Sequence, residues 1–342
     1  MSTAEQNATV QTGYRAVRED GAGIIDLSSR GRIRVEGSEA VMFLNGLITN
    51  DMKTLELHRW MPAAFPNVQG RLIAAVRVIR LSDRDEKSPR FILDTEAATH
   101  PAVFKTIERF TMAGDFKVTD ITGTSAMVSV QGPKAEEIVQ HIVGEPVVRH
   151  GVVEEQWNSK ELIALRASHT GEDGFDFIID REAAEALVEA LSNSGATMAS
   201  PEAVETLRIE AGVGSFGKDM DETNVITEAN LDDAVSFTKG CYIGQEIIAR
   251  IKYRGHVAKK LTGLTFNHSE QVVAGDLVKS MEGKDIGRVT SATFSPALGR
   301  TIALGYVRHE HLGPGTEVLV GESGVKGRVT ELPFVRGSWY ER

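Results

Sequence analysis

The chain has 342 residues and a mass of 37.2 kDa, more than one ordinary core sustains, so two or three domains are expected. Its 41% hydrophobic and 25% charged content excludes a disordered chain. A net charge of -10 excludes a general nucleic-acid coat, and no apolar run approaches the roughly 20 residues of a membrane span.

Residues 1–22 read as a polar lead-in, without the apolar stretch of a secretory signal and with acids that a transit peptide lacks. A cytoplasmic protein is the expectation. "GRIRVEGSEAVMFLNGL" (31–47) reads as a strand, a glycine turn and a helix with apolar Val41, Phe43, Leu44 and Leu47. "AMVSVQGPKAEEIVQHI" (126–142) repeats the plan 95 residues later, Gly132 answering Gly37 and Ala135 answering Ala40. That spacing suggests two related α+β halves, with convergent use of one turn type as the alternative.

Between the halves, 67–83 and 89–96 read as paired strands and 100–112 as a helix. Residues 162–180 form another hairpin-like stretch, followed by a helix over 181–195. "SPEAVETLRIEAG" opens with Ser200 as N-cap, Pro201 at the first helical position and Glu202 in the first turn. From about Ala258 the texture changes to short β runs separated by glycines, "KLTGLTF", "DLVKSM", "DIGRVTSATFS", "TIALGYV" and "TEVLVG", which argues for a compact barrel.

"GVGSFG" (212–217) has the letters of a dinucleotide fingerprint but follows a helix instead of a strand, so it reads as a helix stop. The nine histidines show neither H-E-x-x-H nor a cysteine partner at zinc spacing, and no metal site is expected. "HTGEDGFDF" (169–177) sets Glu172, Asp173 and Asp176 around two glycines. An acidic hairpin turn is the plain reading. In the functional reading Asp176 accepts two N–H donors of a flat heterocycle, Phe175 and Phe177 cover the ring, and Arg208 faces the same cavity.

"KGCYIGQEIIARIKYRG" (239–255) holds the only cysteine. Gly240 and Gly244 permit a tight path around Cys241, and residues 250–260 carry five Lys or Arg, His256 and no acid. A thiol near a helix start and among cations is set up to react. Most lone cysteines are instead small buried hydrophobes. The basic run is either a solvated face or a receiving surface for an anionic tail, an acidic partner or RNA.

"KGCYIGQE", followed by Arg250 and "RGH", resembles the signature of the YgfZ-type folate-binding proteins, sisters of the glycine-cleavage aminomethyltransferases. The broader pattern of that superfamily covers most of the chain, including "DLSSRGRIRVEGSEAVMFLNGLITND", "LRIEAGVGSFGKDMDE" and "GRVTSATFSPALGRTIALGYV". The resemblance implies an α+β ring of three domains around a folate-binding channel. Two interleaved α+β domains would fill 23–257 and a C-terminal β-barrel 258–342. It further implies that Asp176 is the pterin-binding carboxylate, with Arg208 near it, and that tetrahydrofolate or a reduced derivative is the cofactor. Cys241 would be the functional thiol, its loop shaped by Lys239, Gly240, Tyr242, Gly244, Gln245 and Glu246. Arg250 and Arg254 would supply its electropositive surroundings.

Catalytic aminomethyltransferases resemble "QGxxIDD" where this chain reads "QGRLIAA", so Ala74 and Ala75 replace the acidic pair. Without a carboxylate beside the folate nitrogens, the polarisation that one-carbon transfer needs has no evident donor. The departure favours an accessory protein for iron–sulfur enzymes, including those that modify tRNA. Its partners would be folate and iron–sulfur enzymes or their assembly proteins. The alternative is a folate-dependent aminomethyltransferase or demethylase, and a third reading is a passive folate-binding module.

Overall fold

Helix α1 (Thr3–Arg18) occupies most of the stretch expected to be a polar lead-in. Its Tyr14 and Val17 are buried against Ala203 and Leu207, so these few apolar residues dock an otherwise polar helix. The computed structural model describes residues 3–341 except Asp20, Glu86, Lys87 and 111–113, and leaves out the side chains of residues 3–9 and of Arg254.

After β1 (Gly23–Asp26) the chain forms β2 (Gly31–Glu36), α2 (Ala40–Leu47), β3 (Trp60–Pro66), β4 (Leu72–Leu81), β5 (Arg90–Thr95), α3 (His100–Glu108) and β6 (Lys117–Asp120). Next come β7 (Ser125–Gln131), α4 (Ala135–Val143), β8 (Val152–Trp157), β9 (Lys160–Arg166), β10 (Gly174–Asp180) and α5 (Ala184–Asn193). A short β11 (Thr197–Met198), α6 (Pro201–Glu210) and α7 (Gln245–Arg254) complete the part before the barrel.

Strands β2 to β6 build one sheet, in the order β3-β4-β5-β2-β6. The other runs β11-β1-β7-β10-β9-β8, so β1 lies in a sheet whose remaining strands come after the whole of the first. The two α+β units are therefore interleaved. Each buries one face under its own helices: Val76, Val78 and Leu93 with Leu44 and Val103 in one, Val128, Phe175 and Phe177 with Val139 and Leu187 in the other. Their second faces meet through Ile79, Leu81, Ile92, Met127, Ile163, Leu165 and Ile178. Strand alternation sends Val76 and Val78 of β4 and Phe175 and Phe177 of β10 to the helix side, and Ile79 and Leu81 of β4 and Ile178 of β10 to this inter-sheet layer.

The 95-residue spacing corresponds to one structure used twice. Gly37 and Gly132 have φ of 139° and 140°. A Cβ would lie 2.4 Å from the Asp115 carbonyl oxygen at the first and 2.6 Å from that of Gly21 at the second. Only glycine admits both the left-handed backbone and this approach. The start of α6 also follows its sequence signals: Pro201 occupies the first turn and the Ser200 hydroxyl accepts the Ala203 N–H at 3.3 Å.

The last unit consists of β12 (Lys259–Phe266), β13 (Leu277–Lys279), β14 (Asp285–Ser295), β15 (Arg300–Arg308), β16 (Glu317–Val320) and β17 (Val325–Thr330). They close in the order β12-β15-β14-β13-β16-β17. Strand β17 is absent from the sequence reading because "VKGRVT" has two outward cations and an inward glycine. That glycine is needed: a Cβ on Gly327 would stand 2.6 Å from the Phe266 ring. No helix among the described residues is long and apolar enough to cross a membrane.

Candidate functional site

Asp176 lies on β10 between Ser129 of β7 and Leu165 of β9, and it is fully buried. Its side chain points into the inter-sheet layer, where two groups hold it. His169 Nε2 approaches its oxygens at 3.1 and 2.9 Å, and Arg77 Nη1 reaches across from β4 to Oδ2 at 2.6 Å. Arg77 also donates from Nε to Asp94 at 2.6 Å, and Asp94 takes Arg30 through two bonds of 2.7 and 3.0 Å. The result is a continuous chain, Arg30–Asp94–Arg77–Asp176–His169, linking the two sheets. Burial alone would raise the pKa of Asp176, but His169 and Arg77 outweigh it and hold the carboxyl well below the usual carboxylate range. Asp94 is lowered in the same way, with Arg30 and Arg77 overcoming its burial.

Three expectations for this region need correction. Phe175 and Phe177 do not cover a ligand beside Asp176; period-two alternation sends them to the opposite face, into the helix-side core. The aromatic group on this side is Trp60, whose ring lies 5.6 Å from the Arg77 guanidinium. Arg208 makes no hydrogen bond or ion pair with Asp176. It bonds Glu205 at 2.7 and 2.6 Å, Asp219 at 2.7 Å, the Val213 carbonyl at 2.9 Å and Ser291 at 2.9 Å, tying α6 to the barrel. The acidic hairpin is no solvated turn either. Glu172, Asp173 and Asp176 are all buried, and Arg18 and Arg166 reach the first two at 2.6 Å each.

The Cys241 loop lies elsewhere, at the start of α7. Gly244 has φ of 77° and a Cβ there would be 2.4 Å from the Asn67 carbonyl oxygen, so the 67–70 turn packs directly on this glycine. Tyr242 is buried with Ala64, Leu72 and Ile248, which fixes the loop, whereas Gly240, Cys241, Glu246 and Arg250 are exposed. Gln245 opens the helix and donates to the Lys239 carbonyl at 3.5 Å. The side chain of Arg254 lies outside the described residues. Part of the basic run is engaged: Lys260 faces Asp232 at 3.4 Å and Lys252 lies 4.9 Å over Phe237. A cavity of about 660 Å³ separates the Gly212–Gly214 turn from the barrel, and neither Asp176 nor Cys241 lines it.

Residues 3–239 match the GCVT N-terminal domain, and 259–336 match the glycine cleavage T-protein C-terminal barrel domain. The chain belongs to the glycine cleavage T-protein family. It is 32% identical over 331 residues to an aminomethyltransferase of Thermotoga neapolitana, covering 94% of this chain and 88% of the relative. An aminomethyltransferase of Rubrobacter xylanophilus is 32% identical over 341 residues, covering 97% and 87%. The crystal structure of the glycine cleavage system aminomethyltransferase T from Bartonella henselae matches with a TM-score of 0.87 at 27% identity, covering 96% of this chain and 90% of that one. These relatives support the T-protein family, which uses tetrahydrofolate. By name they favour the aminomethyltransferase alternative over the iron–sulfur accessory reading, and they do not single out the YgfZ-type branch.

Within this T-protein fold, Ala74 and Ala75 sit on β4, Ala74 buried in the helix-side core and Ala75 on the Arg77 face. Arg77, His169, Arg30 and Asp94 were not singled out by sequence reasoning. The available signal was Arg77 itself, a cation inside the apolar run "LIAAVRVI".

Lys239 proves to be an anchor. Its buried ammonium donates to the carbonyls of Asn45, Ile48 and Asn50 at 2.7, 3.0 and 2.6 Å, closing the C-terminal end of α2. Burial pushes its pKa down to about 8, with the Asp51 carboxylate opposing. Lys239→Met is expected to cost about 1–3 kcal/mol, because buried carbonyls lose their donor. In the wild type the native pKa lies below the unfolded one, so this lysine's contribution to stability grows as pH rises from about 8 toward 10.5. Denaturation midpoints of both proteins at pH 7 and pH 9.5 check both the loss and its direction with pH.

Proposed function

We propose that this chain is a reduced-folate-binding member of the T-protein family that does not perform aminomethyl transfer and supports iron–sulfur enzymes through Cys241. One observation carries the first part. Positions 74 and 75 are alanine, and Asp94 and Asp176, the carboxylates nearest to Arg77, are kept ionised by arginines. A carboxyl group held well below its usual range is a poor proton donor near neutral pH. A bound reduced folate would supply nucleophilic ring nitrogens, and neither Asp94 nor Asp176 stands ready to protonate them.

The acceptor chemistry of Asp176 suits the amino and ring N–H edge of a pterin. In the described conformation those acceptor positions are taken by Arg77 and His169, so a ligand must displace a donor to use them. The exposed Cys241 in a loop pinned by Lys239 and Tyr242 supports a role in contact with another protein.

Calorimetry with tetrahydrofolate is expected to show binding that weakens by about 1.5–3 kcal/mol in Asp176→Ala. Turnover with an aminomethylated lipoyl carrier protein is expected to be absent. Cys241→Ser should keep the fold and lose support of iron–sulfur enzymes in cells. Unchanged folate affinity in Asp176→Ala would remove the binding assignment, and full complementation by the serine variant would leave Cys241 without a chemical role. The second reading, an aminomethyltransferase, is favoured by the relatives' names. Ordinary turnover in the same assay would establish it and require a carboxylate other than those at 74 and 75.

A further inference from the structure

We infer that Arg77 is an internal competitor for the ligand edge at Asp176, so that folate binding at this carboxylate is gated by a side chain of the protein itself. The inference rests on the reduced-folate reading above and assigns its regulation. A guanidinium and the 2-amino-pyrimidinone edge of a pterin share one motif, a planar carbon flanked by N–H donors, and a carboxylate accepts either by the same geometry. Arg77 already takes part of that role through a single nitrogen, Nη1, which lies 2.6 Å from Asp176 Oδ2.

The remaining contacts show that this one link can be exchanged without dismantling the site. Arg77 faces Asp94 directly in the β4–β5 register, donates to it from Nε at 2.6 Å and keeps Nη2 in ion-pair contact at 2.6 Å. Those contacts hold the guanidinium on its own sheet when Nη1 lets go. Asp94 additionally keeps Arg30, and Asp176 keeps His169 at 2.9 Å. Neither carboxylate is then left unpaired in the layer, which is the condition that makes breaking a buried ion pair so costly. The chain also lacks the acids at 74 and 75, and Arg77 is the next residue on the face of Ala75. Arg77 is thus the charged residue that this face of β4 presents to Asp176.

The test uses 5-formyltetrahydrofolate, free pterin and lumazine, whose 2-oxo group replaces the 2-amino donor, titrated into wild type, Arg77→Met and Arg77→Met/Asp176→Asn. Removing a charge-assisted competitor should tighten 5-formyltetrahydrofolate and pterin at least about tenfold in Arg77→Met. The gain should vanish in the double variant and be absent for lumazine. Arg77→Lys, which keeps the charge but not the planar donor array, should fall between wild type and Arg77→Met and serves if the methionine variant does not fold. Measurable wild-type binding with equal or weaker binding in Arg77→Met overturns the competitor role and leaves the folate reading standing. A gain that extends equally to lumazine also overturns it, since edge recognition is then not involved. Folded variants that bind none of the reduced folate or pterin overturn both.

Discussion

Asp94→Ala is expected to destabilise the protein by about 3–5 kcal/mol, because it strands two arginines in the layer between the sheets. Asp94 is fully buried and is reached by Arg30 at 2.7 Å and Arg77 at 2.6 Å. Alanine removes the shared acceptor and leaves Arg30 without its bidentate partner. Arg77 would retain only Asp176. Urea denaturation of the two proteins measures the loss. Its pH dependence has a definite sign. Asp94 and Asp176 have native pKa values below the unfolded value of about 3.9, so their contribution is complete above about pH 5 and is lost as pH falls through the native values. The gap between wild type and Asp94→Ala should therefore narrow in acid. A gap that stays constant from pH 7 to pH 3 would mean that lost packing, not charge, dominates.

Glu210→Ala is expected to cost a similar amount, about 3–5 kcal/mol, and to loosen the N-terminal helix first. Glu210 ends α6 and is fully buried. It accepts the Tyr14 hydroxyl at 2.8 Å, Arg18 Nη2 at 2.9 Å and the Ser295 hydroxyl at 2.5 Å, which joins α1, α6 and the barrel at one carboxylate. Without it, Arg18 keeps Glu172 at 2.6 Å but Tyr14 loses its acceptor inside the core. Hydrogen exchange should show early loss of protection in α1 and smaller changes in the two sheets. Full protection of α1 in the variant would mean that the apolar contacts of Tyr14 and Val17 hold the helix by themselves.

These two junctions show where sequence reasoning reaches its limit. The strand–glycine–helix units, the Ser200 cap and five of the six barrel strands were legible because each is encoded within a few residues. A backbone that needs φ near 140° admits essentially only glycine, and a helix start needs a side-chain acceptor at one defined place. The separation of Phe175 and Phe177 from Asp176 is legible as well, since alternation along a strand puts neighbours on opposite faces.

The site was a different matter. Asp176 was identifiable as a carboxylate on a buried strand, and Lys239 and Cys241 as parts of a signature loop. Their partners were not. Arg18 pairs with residues 154 and 192 positions away, and Lys239 meets carbonyls from 189 to 194 positions away. Local patterns record which face of an element is apolar, and they determined here two α+β halves and a barrel. Which buried carboxylate meets which cation depends on how the interleaved sheets pack, because an ion pair across a sheet interface leaves no periodic trace in either strand. Only the tertiary structure decided that Asp176 faces Arg77 and His169, that Arg208 serves the barrel junction, and that Lys239 closes a helix end. In each case desolvation compels a buried charge to find a partner, and the fold supplies whichever one lies within reach.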